Sequence, residues 1–265
     1  MEYLDETIEP AIERAVVRAI ETMHENMAEP ITIDDMARTA MYSKFHFSRE
    51  FQRVTGISPG RFLSAIRLQR AKDLLVSTSL TVTEISHRVG YTSVGTFSSR
   101  FATSVGVPPT SYRQLGGFTR EILMDNCSRS QASLSTTVRG VVHAPVADEL
   151  GLIFIGLFPS RIPQGRPVRC TVLHRAGPFV LEEVPPGTWY LLGHSVPAFR
   201  NELLTSDQEL SVGSYGPVEV HTGVPIQWID FRLRAIRALD PPVLLALLDV
   251  REVAFREGLA SVRVS

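Results

Sequence analysis

An internal repeat constrains this chain more than any other feature. Thr32-Ile33-Asp34-Asp35-Met36-Ala37 returns 49 residues later as Thr81-Val82-Thr83-Glu84-Ile85-Ser86, and Tyr42 returns as Tyr91. The offset then becomes 50, pairing Phe47 with Phe97, Phe51 with Phe101, Gly56 with Gly106, Pro59 with Pro109 and Phe62 with Tyr112. One residue is therefore inserted in the second copy, between Tyr91 and Phe97. Self-similarity at a fixed period marks a repeated supersecondary unit, so the fold here must contain two copies of one local structure.

Each copy reads as two short helices about a tight turn. Thr32 with Asp35, and Thr81 with Glu84, have the Thr-x-x-acid spacing that caps a helix start. Ile33, Met36, Ala37 and Ala40 follow at helical spacing, as do Val82, Ile85, Ser86 and Val89. Gly90 supplies the conformational freedom a turn needs, whereas Met41 stands in its place in the first copy and carries strain if the geometry is the same. The second helices run from about Ser43 to Thr55 and from about Ser93 to Val105, stopped by Gly56 and Gly106. Two helices about such a turn describe a helix-turn-helix, whose second helix enters the major groove of DNA. A helical repeat with no nucleic-acid role is the alternative.

Charge favours the first reading. Residues 1–29 carry a net −6, residues 30–115 a net +6 and residues 116–265 a net −1. A basic middle segment provides the field that a polyanion partner requires. On the first unit's second helix, Phe47, Phe51 and Val54 form the core face, leaving Phe45, Ser48, Arg49 and Gln52 outward, with Ser43 and Lys44 at the start. Arg contacts guanine, Gln contacts adenine, and an exposed aromatic packs on a thymine methyl; the bland reading of Phe45 is packing on a neighbouring helix. The second unit turns Val94, Gly95, Ser98, Ser99 and Ala102 outward from the Ser93 start, and Arg100 stands off that face, placed for a phosphate. The first unit is thus expected to read bases and the second mainly to dock, make methyl contacts and respond to DNA shape. Between them, residues 61–72 read as a helix with apolar and basic stripes that includes Arg67, also expected on the DNA side, and sets the separation of the two reading helices.

These residues resemble the AraC/XylS family of bacterial transcription regulators. The second copy carries the pattern Glu84-Ile85-Ser86-x-x-Val89-Gly90-Tyr91-x-Ser93-x-x-x-Phe97-Ser98-x-x-Phe101, then Gly106-Val107-Pro108-Pro109-x-x-Tyr112-Arg113. The resemblance spans residues 11–115, with helix-turn-helix units at about 33–55 and 82–105. It implies a seven-helix domain with a long linker helix and a role in activating transcription. It also implies that Phe45, Ser48 and Arg49 lie at base-facing positions. Three features depart from the family's habit: Ser99 where an Arg is frequent, Met41 where the turn Gly stands, and an amino-terminal place for the domain.

A small, polar stretch over 116–137 reads as a linker. Beyond it, residues 138–240 show seven short apolar runs with Gly and Pro punctuation: Val138–Val142, Leu152–Phe158, Val168–Leu173, Phe179–Leu181, Thr188–His194, Val218–His221 and Ile226–Leu233. Such spacing predicts a β-sandwich, followed by a packing tail over 241–265. The fold class expected is multidomain α + β: an all-α double helix-turn-helix domain, then a small all-β sandwich-like domain. Gly151 to Phe158 and Val184-Pro185-Pro186-Gly187-Thr188-Trp189-Tyr190-Leu191 look like carboxypeptidase-regulatory-like domains of transthyretin-like fold. A GyrI-like small-molecule-binding fold, in a repressor, is the runner-up.

Catalysis has no visible seat. His143, His174, His194 and His221 are too scattered for a metal motif, and Cys127 with Cys170 makes neither a zinc site nor a disulfide framework. Adjacent Glu182 and Glu183 are expected on opposite faces of a strand, and Trp189 in the core rather than a ligand pocket. No apolar run is long enough to span a bilayer, and the acidic start is unlike a signal peptide, so a cytoplasmic location is expected. Double-stranded DNA is the expected partner, with RNA polymerase, a second copy of the chain as a homodimer and a small-molecule effector as further expectations. No enzyme activity, cofactor, metal or membrane is expected. The alternative of another class is a carbohydrate-enzyme accessory protein, motivated by the carboxyl half alone.

Overall fold

The computed structural model describes residues 10–117, 136–144, 150–165, 167–197, 211–221 and 228–244. These fall into two compact units, one of residues 10–101 with Arg237–Leu244, the other of residues 102–236. The described residues hold seven helices, then eight strands, in chain order.

Helix α1 (Pro10–Glu25) buries Ile12, Ala15, Val16, Ala19, Ile20 and Met23, the single stripe of a helix with one wet face. The first repeat gives α2 (Ile33–Thr39) and α3 (Lys44–Thr55). The linker helix α4 (Pro59–Ser77) follows, and the second repeat gives α5 (Val82–Arg88) and α6 (Val94–Val105), then α7 (Pro109–Gln114). Both expected caps form in full. Thr32 and Thr81 each accept from the N–H three residues on, and Asp35 and Glu84 each accept from the Thr backbone N–H and hydroxyl in return. Those contacts hold both carboxyls below their ordinary pKa. For Asp35 the Thr32 hydroxyl contributes most, and for Glu84 the Thr81 backbone N–H does.

The turns share one geometry. Gly90 has φ 82° and Met41 has φ 63°, so methionine occupies the left-handed conformation that its partner position gives to glycine. Gly56 and Gly106 end α3 and α6 in the same region, at φ 79° and 99°.

Helix α4 corrects one expectation. Its basic residues do not form an outward stripe, because it buries ten residues around its circumference, Lys72 among them. The Lys72 amine donates to Gln69 Oε1 and, at 3.2 Å, to the carbonyl of Val243. That carbonyl belongs to Arg237–Leu244, which groups with the helices rather than with the β region to which residues up to 240 were assigned. Leu239, Val243 and Leu244 of the segment are buried.

The strands form two sheets. One orders β4 (Pro178–Val184), β1 (Thr136–His143) and β7 (Ile229–Arg232). The other orders β3 (Arg169–Leu173), β2 (Leu150–Phe158), β5 (Gly187–Pro197), β6 (Ser211–Val220) and β8 (Arg234–Ala235). All pairings are antiparallel except β1 with β7. Residues of both sheets, including Val138, Phe179, Leu181, Ile155, Leu191, Val218 and Phe231, share one buried core. Gly193 and Gly213 lie opposite each other in the β5–β6 ladder, and a Cβ on either would press on the Phe231 ring at 2.9 and 2.8 Å. That bare floor is what lets a β7 aromatic come close.

Two smaller expectations resolve here. Glu182 and Glu183 are both exposed, not on opposite faces, because Glu183 at φ 53° sits where the β1–β4 register shifts and bulges the strand. Trp189 packs against the core, its indole N–H donating to Pro185 O at 3.0 Å. Cys127, most of the linker over 116–137 and the tail beyond Leu244 lie outside the described residues.

Candidate nucleic-acid interface

The repeat positions the site. Phe47 and Phe51, at most 1% exposed, fix the inner face of α3, and Phe97 and Phe101, at 0%, fix that of α6. Each pair makes tilted ring contacts, 5.4 and 5.7 Å between centroids. A helix pinned by two aromatic rings one turn apart has its opposite side chosen for it.

On α3 that side carries what the sequence indicated. Phe45 is 87% exposed, the Arg49 side chain 74%, and Gln52 is exposed. Ser48 is half-buried, and Ser43 caps the helix, its hydroxyl accepting from the His46 N–H at 3.4 Å. Lys44 is exposed and pairs with Asp34 at 3.0 Å. The apolar Phe45 ring touches water over nearly its whole surface, and Met41 at the turn is exposed to 85%. Nothing among the described residues covers these two side chains.

Charge on α3 is organised by a residue that the sequence reading passed over. Glu50 is only 7% exposed, yet its carboxylate accepts from Arg49 Nε at 3.3 Å through one oxygen and from Arg53 Nε at 2.8 Å through the other. Burial pushes its pKa up, but the hydrogen bonds and charges of Arg53 and then Arg49 outweigh burial, and the net shift is downward. Arg49 Nη2 also lies 3.3 Å from His46 Nδ1, and His46 in turn packs on Tyr42 with centroids 4.7 Å apart. Spacings of three and four along a helix were the available signal for this row, because such residues are neighbours on its surface.

The second unit presents little. Ser93, Val94, Gly95, Ser99 and Arg100 are exposed and Ser98 half-buried. Ser93 accepts from the Thr96 N–H at 3.4 Å, and a Cβ at Gly95 would meet only the Ser93 hydroxyl, at 3.7 Å. This surface offers small side chains and the guanidinium of Arg100.

Arg67 is the correction. Its Nε donates to Met27 O and its Nη2 to Glu29 O, each at 2.8 Å, and its guanidinium lies 6.0 Å from the centre of the Tyr91 ring. Burial lowers its pKa. The group ties two carbonyls after α1, of which Glu29 O also accepts from the Ile31 N–H at 2.8 Å, to the linker helix, so it acts as a brace inside the helical unit. Among the described residues no group of three or more His, Cys, Asp and Glu could hold a metal, and no helix is long and apolar enough to cross a membrane.

Comparison with known proteins bears on this surface. Residues 36–115 match the family model described as a helix-turn-helix domain. That stretch runs from α2 through both repeats and the linker helix to the end of α7. The regulator GbdR of Pseudomonas aeruginosa is 35% identical over 92 residues, 35% of this chain and 25% of that protein. The lactose operon transcription activator of Staphylococcus xylosus is 30% identical over 95 residues, 36% of this chain and 34% of its own length. The activator AarP of Providencia stuartii is 30% identical over 88 residues, 33% of this chain and 65% of that one. The chain thus spans between a quarter and two-thirds of the length of these relatives. Among solved structures, a transcriptional regulator from Chromobacterium violaceum is 27% identical, with a TM-score of 0.39 over 41% of this chain and 96% of that one.

Proposed function

We propose that this protein is a cytoplasmic, sequence-specific regulator of transcription of AraC/XylS type that binds double-stranded DNA. It lays α3 and α6 into successive major-groove segments and activates through RNA polymerase. The observation that carries the reading is the outer face of α3. A phenylalanine 87% exposed beside an arginine 74% exposed is a poor surface for water and a good one for a groove that offers thymine methyls and guanine edges. The activator sense is supported by two relatives whose names say activator.

The two units divide the work. Arg49, Phe45, Ser48 and Gln52 read bases with Lys44 and Ser43 near the backbone. Ser93, Val94, Gly95, Ser98, Ser99 and Arg100 seat the protein through close approach and phosphate contact. The β region serves as a sensor, dimerisation or partner-contact module of carboxypeptidase-regulatory-like type, a reading supported by two sheets around one core.

Selection of duplexes from a random pool by the full chain tests this. More base preference is expected under the first unit than under the second, and equal preference in both halves would overturn the division. Arg49→Ala should weaken the selected site by about 1–3 kcal/mol and relax one base position. An unchanged preference would remove Arg49 from base reading.

A further inference from the structure

An acid on a DNA-reading helix needs an explanation, because phosphate repels it. Glu50 is one residue from Arg49 and is almost wholly buried. Its two oxygens are divided between two arginines, Arg53 held at 2.8 Å and Arg49 at 3.3 Å. The atoms of Arg49 that are engaged decide what the arrangement does. Nε meets Glu50 Oε1, and Nη2 meets His46 Nδ1. Nε and Nη2 form the side edge of the guanidinium, and the plane is rigid, so fixing that edge also fixes the direction of the end edge made by Nη1 and the outer hydrogen of Nη2. An end edge of two parallel donors is what the O6 and N7 acceptors of guanine take.

We infer that Glu50 is a positioning residue for base recognition: with His46 it holds the side edge of the Arg49 guanidinium so that the end edge faces the major groove. This rests on the reading of α3 as the base-reading helix given above. Free arginine searches many rotamers, and a guanidinium already aimed loses less freedom on binding. The acid also subtracts one charge from the surface that meets the phosphates, so it trades general attraction for discrimination.

That trade gives the test, since the two effects respond in opposite directions. Full-length protein with Glu50→Gln, and separately Glu50→Met, is compared with wild type on two probes. One is the selected duplex with guanine or 7-deazaguanine, which lacks N7, at the base whose preference depends on Arg49. The other is an unrelated duplex at the same salt. In wild type the 7-deaza substitution should weaken binding about tenfold. In either variant that penalty should shrink to about threefold or less, while binding to the unrelated duplex stays level or tightens as a charge is lost. If both probes weaken together by the same factor, Glu50 supports the fold only and the inference falls. If Arg49→Ala abolishes the guanine preference but both Glu50 variants keep the full penalty, Arg49 reads the base unaided and the inference also falls. If Arg49→Ala leaves the preference intact, the base-reading assignment itself fails and takes this inference with it.

Discussion

The two turns offer a matched pair of substitutions with opposite expected signs. Met41 and Gly90 occupy equivalent places and equivalent left-handed backbone, at φ 63° and 82°. For a residue with a Cβ, that conformation costs about 1–2 kcal/mol. Met41→Gly removes the cost and, because the side chain is 85% exposed, forfeits almost no burial. Against this, glycine raises the entropy of the unfolded chain, which offsets about 0.4–1 kcal/mol. The net expectation is a gain of about 0.5–1 kcal/mol, or a rise in Tm of about 2–6 °C for a helical unit of this size. Gly90→Ala should do the reverse. The new Cβ would collide with the Met27 carbonyl oxygen and stand 2.9 Å from the Arg67 guanidinium. The backbone cost then adds to the loss of charged hydrogen bonds from Arg67 to Met27 and Glu29, about 1.5–3 kcal/mol, for a total near 3–4 kcal/mol. Urea denaturation followed by helical circular dichroism measures both. Loss of stability in Met41→Gly, or a neutral Gly90→Ala, would refute the claim that the turns are one structure held by local strain and packing.

Other consequences are checked the same way. Thr32→Ala and Thr81→Ala should each cost about 1 kcal/mol, read as a lower urea midpoint. The capped carboxyls have folded pKa values below their unfolded ones, so their contribution is complete above the ordinary carboxylate range and disappears as pH falls through the lowered values. Acid unfolding, as pH falls through and below the ordinary carboxylate range, should therefore be steeper in wild type than in the double alanine variant. Leu244→Ala, at a fully buried position, should cost about 2–5 kcal/mol, with the loss appearing in the helical signal.

The helical half was legible because its information is local. A capping box, a left-handed turn and a glycine stop each act within a few residues, and the repeat states each of them twice. Phe47 and Phe51 then fixed the inner face of α3, so Phe45, Arg49 and Gln52 could be placed outward by geometry alone. What escaped depended on distant partners. Arg67 looks like any basic residue on a helix until Met27 and Glu29, some forty residues earlier, offer their carbonyls. Lys72 is drawn inward by Val243 from near the other end of the chain. Glu50 was passed over because an acid in a helix usually faces solvent, whereas here it is buried with its carboxylate shared between Arg49 and Arg53. In the β half, the observed strands overlap all seven apolar runs, but β6 begins earlier than expected. Ser211 to Gly216 is rich in Ser and Gly and lies outside the apolar run, yet it is strand, and Gly213 there admits an aromatic ring.

The return of Arg237–Leu244 to the helices has an evolutionary consequence. A contiguous DNA-binding domain can be joined to a new partner by one recombination event, since a single cut separates all of it. Here the unit containing α4 is written in two pieces with the eight strands between them. A crossover that replaced everything after α7 would leave Lys72 without the carbonyl of Val243 and strip Leu239, Val243 and Leu244 from the domain. Exchange of the β region therefore requires two coordinated joints, or a replacement that brings its own cover for α4. The pairing of these halves should be inherited as a block, and chimaeras meant to test the β region should keep residues 237–244 with the helices.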